Sequence, residues 1–250
     1  MSELDCRMRL YCVLSGFLLL ALAISTGVFA ADDEIPLPGE IPDSVKVVAE
    51  AYLDEWCERA TRNPEFYGVV GKDVDRQRVS LGEAYIYYVL QRPATERFAE
   101  SAENDPTRFA TLVQYEFPLL LAGELVLTVH VIKNEDLEGR VLLPEKGEYV
   151  VSGGRESGLP FDSVDSVVGR ETNGWQSPLP PSFFVVNFYS SGAIFVHESN
   201  ANGVGRYFPV SITARNALSM NESAWLDENT AISRIKRRFL EELELRRKSQ

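Results

Sequence analysis

Histidine and cysteine are nearly missing from this chain of 250 residues: it has 2 His and 3 Cys, and that scarcity removes whole classes of chemistry. There is no HExxH, no CxxC and no clustered His/Cys spacing, so no zinc pattern is written in the sequence. Cys6 and Cys12 fall near the N-terminus and leave Cys57 alone in the remainder. One thiol cannot close an internal disulfide, so stability must come from a core. Cys57 follows Trp56 beside an apolar helical stripe, the setting of a packing thiol rather than of a nucleophile with a base at hand.

Positive charge is also short. Lys+Arg 25 against Asp+Glu 37 gives a formal net charge of −12, a field that repels nucleic acid and anionic lipid at long range. Gly68-Val69-Val70-Gly71-Lys72 lacks the spacing and the following Ser or Thr of a phosphate loop. Ser152-Gly153-Gly154 and Ser190-Ser191-Gly192 are not the nucleophile elbow of a serine hydrolase. Carboxylates are plentiful, but no acid and base pair stands out by spacing. The sequence calls for no cofactor.

What is present begins with Arg7 and Arg9 ahead of a long apolar run, 11–30, ending Val28-Phe29-Ala30-Ala31. This reads as a signal segment, 1–30, with the mature chain starting at Ala31. The alternative is an uncleaved anchor, since the run is long enough to span a bilayer. A Pro-rich tether, 31–42, follows.

Val45, Val48, Ala49, Tyr52, Leu53, Trp56 and Ala60 recur at helical spacing, with Asp43 or Ser44 as cap and Asn63-Pro64 as stop. Residues 81–90 read as one aromatic strand, and 91–108 as a loop with a short helix near 95–102. Around Ala122-Gly123-Glu124 the period-two pattern of 112–132 predicts a hairpin. Val113, Tyr115, Phe117, Leu119 and Leu121 share one face, as do Leu125, Leu127, Val129 and Val131. Short strands are expected at 140–143 and 149–152. A Gly/Pro-rich loop or boundary, 154–181, with a short helix at 161–168, comes next. A second hairpin spans 183–198, Tyr207 to Val210 forms an edge strand, and Ser211 caps a helix over 212–220. The last helix covers 229–247 with Ile232, Ile235, Phe239, Leu240 and Leu243 inward.

Three groups stand out as candidate sites. Tyr85, Tyr87 and Tyr88 crowd one strand: exposed, they suit protein or ligand recognition; covered by a helix, they are core. His130 and His197 lie one in each hairpin and would make a metal or hydrolytic site if they met across the sheet beside Glu116 or Glu198. Arg234, Lys236, Arg237 and Arg238 form a basic block that either docks an acidic partner or a membrane surface, or is a solvated face with pairs such as Arg237–Glu241 and Arg238–Glu242.

Leu81-Gly82-Glu83-Ala84-Tyr85 together with Phe117-Pro118 and Gly123-Glu124 resembles a pattern of uncharacterised secreted bacterial proteins that carry a signal peptide and a leading amphipathic helix. The resemblance covers about 42–153. It implies a helix laid on antiparallel sheet in the manner of cystatin-like and PepSY-like modules, and no catalytic residues. The expected fold is therefore α+β: amphipathic helices packed on an antiparallel sheet made of two hairpins, with 43–153 and 182–250 as two stretches that can form one domain. The expected function is a secreted or envelope-located, non-catalytic binding or inhibitory module whose partner is an extracytoplasmic protein or peptide. The rivals are an extracytoplasmic hydrolase or metal-dependent enzyme using His130 and His197, and an envelope protein held in the membrane by 11–30.

Overall fold

A computed structural model describes residues 41–135, 141, 143, 146–156, 167, 183–199 and 205–249, the backbone alone at 153–156. The expected signal segment, most of the tether and nearly all of the 154–181 loop lie outside these residues. Among the described residues no helix is long and apolar enough to cross a membrane.

Helix α1, Asp43–Arg62, buries Val45, Ala49, Leu53, Trp56 and Ala60, steps of three or four that form one face. Glu55–Arg59 and Glu58–Arg62 pair across turns on the wet side. The expected Asp43 or Ser44 cap is corrected. Pro42 holds the cap position with ψ 142°, and its carbonyl accepts the first bonds, from the Val45 and Lys46 amides. Among the described residues no side chain caps the helix.

The expected strand over 81–90 is two strands, β1 (Val79–Leu81) and β2 (Tyr85–Leu90), both antiparallel to β3 (Leu112–Leu121) on the same side of it. The break faces Pro118. The Pro118 carbonyl accepts from the Gly82 amide at 2.7 Å, so its ring nitrogen faces the same gap, where a missing N–H costs the ladder nothing. The hairpin to β4 (Glu124–Lys133) turns through Ala122 (φ 53°) and Gly123 (φ 84°), the paired positive dihedrals of a two-residue turn. A bulge shifts the register from Leu119↔Leu127 to Leu120↔Leu125, so the regular inward alternation expected for β4 breaks at Val126. Helix α2 (Arg92–Glu100) starts earlier than expected. β5 (Tyr149–Glu156) is longer than expected, while Val141 makes an isolated bridge to Glu135.

The second antiparallel run comprises β6 (Phe184–Phe188), β7 (Ala193–Ser199), β8 (Gly205–Pro209) and the two-residue β9 (Leu226–Asp227). Helix α3 (Ile212–Ala217) is capped by Ser211, whose oxygen accepts from the Ala214 amide, as the sequence suggests. Helix α4 is Glu228–Lys248, capped by Asp227. The sheet order is β5-β4-β3-β2-β6-β7-β8-β9, with β1 beside β3. The protein is thus α+β with a large, mostly antiparallel sheet. The join between the two runs, β2 against β6, is parallel. Because β8 also pairs with β9, it is not the outermost strand.

Helices α1 to α4 each contribute to one cluster on one face of the sheet, with Trp56, Phe98, Phe188, Phe195 and Phe239 among its larger members. The opposite face carries a second cluster of Tyr85, Tyr87, Val185, Val196 and neighbours, joined by Val167. Strand β2 is therefore buried on both sides. Tyr85 is 1 % exposed, Tyr87 3 % and Tyr88 0 %. An exposed tyrosine surface is corrected: a strand with neighbours at both edges and clusters on both faces has no outside.

Candidate functional site

Register decides which polar side chains meet. Tyr85, Glu116 and His130 lie directly opposite one another on β2, β3 and β4, on the face away from the helices. The Tyr85 hydroxyl donates to Glu116 Oε2 at 2.7 Å, and His130 Nε2 lies 3.8 Å from Glu116 Oε1. Glu116 is 1 % exposed, and the Tyr85 hydroxyl and the His130 imidazole are among the groups that hold this carboxylate inside.

His197 pairs with Phe184, which sits beside Ile86 on the helix-covered face. Its ring stacks on Phe184 at 4.3 Å between centroids and meets Tyr207 edge-on at 4.7 Å. Glu228 Oε1, at the start of α4, is 3.6 Å from its Nε2. The two histidines therefore occupy opposite faces, with β3, β2 and β6 between their strands. Four strand spacings separate them by about 19 Å. The expected His130–His197 metal or hydrolytic pair is corrected: each imidazole has its own glutamate. Among the described residues no group of three or more His, Cys, Asp or Glu is placed to hold a metal.

Gly205 is fixed by this second pair. A Cβ there would lie 2.6 Å from His197 Nε2 and would also strike the Glu228 carboxylate. The Glu228 side chain can swing away, but the His197 ring is held between Phe184 and Tyr207. Gly205→Ala is expected to lower stability by about 2 kcal/mol, as read by urea denaturation. Adding His197→Ala should make the Gly205→Ala step nearly silent. An undiminished cost in the double variant would refute the clash.

Cys57 is half-buried against the helix-side cluster, and burial raises its thiol pKa, with Arg76 opposing. That is the wrong direction for a thiolate nucleophile.

The basic block on α4 divides by what each cation touches. Lys236 donates to the Ser101 and Glu103 carbonyls and so closes the C-terminal end of α2; burial lowers its pKa, with Glu103 opposing. Arg238 pairs with Glu242 at 3.0 Å, as expected. Arg234 donates to the Leu218 carbonyl at 2.6 Å, with its other N–H groups left over. The expected Arg237–Glu241 pair is not formed: Arg237 is exposed and has no hydrogen bond or ion pair among the described residues.

Arg237 continues a ridge, Asn229–Ser233–Arg237, at one residue per helical turn. An open recess of about 570 Å³ lies on each side of it. On one side the walls are Ser219, Thr230 and Arg234. On the other they are Ala99, Asn104, Ile232, Lys236 and Leu240, with Glu241 and Glu244. Ser219 has φ 56°, a left-handed conformation that turns the chain out of α3 toward α4. The sequence offered Arg237 as part of a charge block. The contributions of Ser219, Asn229 and Ser233 became visible with the docking of α3 on α4, although the 229, 233, 237 spacing is a signal of a polar helix ridge.

No family model, curated protein or solved structure matches this chain.

Proposed function

We propose that this protein is a non-catalytic binding or inhibitory module that works outside the cytoplasm, and that its working surface is the exposed face of α4 with its two flanking recesses. The observation that carries the reading is electrostatic. In a chain of net charge −12, the recess of Ser219, Asn229, Thr230, Ser233, Arg234 and Arg237 is lined, among the described residues, by two arginines and no carboxylate. Cations set apart in this way, one of them unpaired, suit recognition more than stability, because exposed ion pairs add little to folding. The helix-on-sheet build and the apolar run of 11–30 fit the same reading, in the manner that the resemblance to cystatin-like or PepSY-like modules implies, with an extracytoplasmic protein or peptide as partner.

Site-specific photocrosslinking in cells producing the full chain tests it. A diazirine amino acid at Ser233 is expected to yield a discrete adduct. The same probe at Glu50, exposed on α1, should not, and Arg237→Glu should abolish the adduct. Equal patterns at the two positions, or none at Ser233, would refute the assignment.

A further inference from the structure

We infer that the recess between α4 and the end of α3 receives an acidic peptide segment, its carboxylates seated on Arg237 and Arg234; this deepens, and rests on, the binding-module reading. Three features point to that ligand. The first is donor supply. Among the described residues Arg237 makes no hydrogen bond or ion pair, Arg234 gives one N–H to Leu218 while its charge also acts on the nearby Asp227 carboxylate, and no hydrogen bond of the Asn229, Ser233 or Ser219 side chain is formed. A fork of N–H groups matches the two oxygens of a carboxylate, and neighbouring hydroxyls and an amide complete its remaining lone pairs. The donors are side chains. The helix end itself is taken, since the Thr230 amide already donates to Asp227 at 2.9 Å.

The second feature is the ground next to it. Across the ridge, Leu240, 37 % exposed, forms a small apolar shelf over the buried Ala99 and Ile232, with Glu241 and Glu244 further along the same wall. A peptide that places carboxylates on Arg237 and an aliphatic side chain on this shelf would use both recesses; a free inorganic anion would use one. The third is the setting. The chain as a whole is acidic, so a recess whose described lining holds two arginines and no carboxylate is a local exception, which gives position as well as affinity.

The test uses the purified full chain and a randomised dodecapeptide library displayed on phage. Selection is expected to enrich peptides bearing two or more Asp or Glu close to a Leu, Ile or Val. A fluorescein-labelled selected peptide should then lose affinity by about tenfold or more with Arg237→Glu, in fluorescence polarisation. Arg238→Glu is the control, because Arg238 is already paired with Glu242; it should change affinity less than threefold. Arg237 is exposed, so the variant is expected to melt with the wild type and a loss of binding reads the site. Selected peptides without acidic enrichment, no selected peptides, or an acidic peptide that Arg237→Glu leaves within threefold would each overturn the inference. If that happens while Ser233 still crosslinks a partner, the ligand chemistry is wrong and the binding surface stands. If both fail, the reading beneath it fails too.

Discussion

Trp56→Ala is expected to cost about 4 kcal/mol of stability. Trp56 is 0 % exposed and fills the middle of the α1 inner face, where Leu53 and Ala60 continue the same stripe. Its ring meets Tyr67 edge-on at 6.2 Å, so it also ties down the turn that follows the helix. Alanine would leave a cavity between a helix and a sheet, two rigid layers that close a gap poorly. Trp56→Phe should behave differently. The Trp56 indole nitrogen is buried with no hydrogen-bond partner among the described residues, and an unsatisfied buried donor costs the native state about 1–3 kcal/mol. Phenylalanine loses ring volume and also removes that donor, so the two effects offset and the net change should be within about 1 kcal/mol. Urea denaturation followed by far-UV circular dichroism measures both. Equal losses for alanine and phenylalanine would mean that the indole N–H is making an interaction the packing does not account for.

The elements visible in the sequence are those whose pattern is local. Helix α1 shows its stripe, Ser211 its cap, and Ala122-Gly123 its turn, because each depends on residues within a few positions. The parallel join of β2 to β6 depends on residues almost a hundred positions apart and leaves no short-range mark. That join is also why the tyrosines were open to two readings. A strand with aromatic residues on alternate positions reads the same whether its second face is wet or covered, and here both faces are covered. The histidines turn on parity. His130 aligns with Tyr85 through Glu116, whereas His197 aligns with Ile86 through Phe184. A one-residue difference in register would have put them on the same face. The break at 82–84 is the case that could have been read in advance, since Pro118 on an inner strand demands a gap beside it. At the α4 recess, residue type gave the charge, while the partner each arginine takes is a matter of rotamer and of the neighbouring helices.

Alkaline pH is expected to unfold this protein steeply. Tyr88, Tyr115 and Tyr207 are 0 %, 4 % and 1 % exposed, and burial is the first cause raising each phenol above its ordinary 10.0. Nearby groups add to it: Asp105 and Tyr115 around Tyr88, Tyr149 around Tyr115, and Glu228 and Asp105 around Tyr207. Below pH 10 both the folded and the unfolded chain hold these protons, and the packing of the three rings is fully effective. Above pH 10 the unfolded chain releases them while the folded chain keeps them. The unfolded state then binds fewer protons, and stability falls as pH rises. Each such group contributes a slope of roughly 1.4 kcal/mol per pH unit, so three together give about 4 kcal/mol per unit. For a stability near the lower end of the typical range, about 5 kcal/mol, that carries the protein to its unfolding midpoint about one unit above pH 10, and the slope ends once the folded-state phenols themselves ionise. Urea denaturation at pH 8, 10, 11 and 12 reads the slope, and absorbance at 295 nm reads tyrosinate, which for these three should lag until the chain opens. Tyr88→Phe removes one of the three titrations and should flatten the slope by about a third, to roughly 3 kcal/mol per unit, whatever it does to stability at neutral pH. A stability that stayed level from pH 10 to 12 would mean that these phenols ionise in place, and the two-sided burial of the sheet would then be too loose to hold their protons.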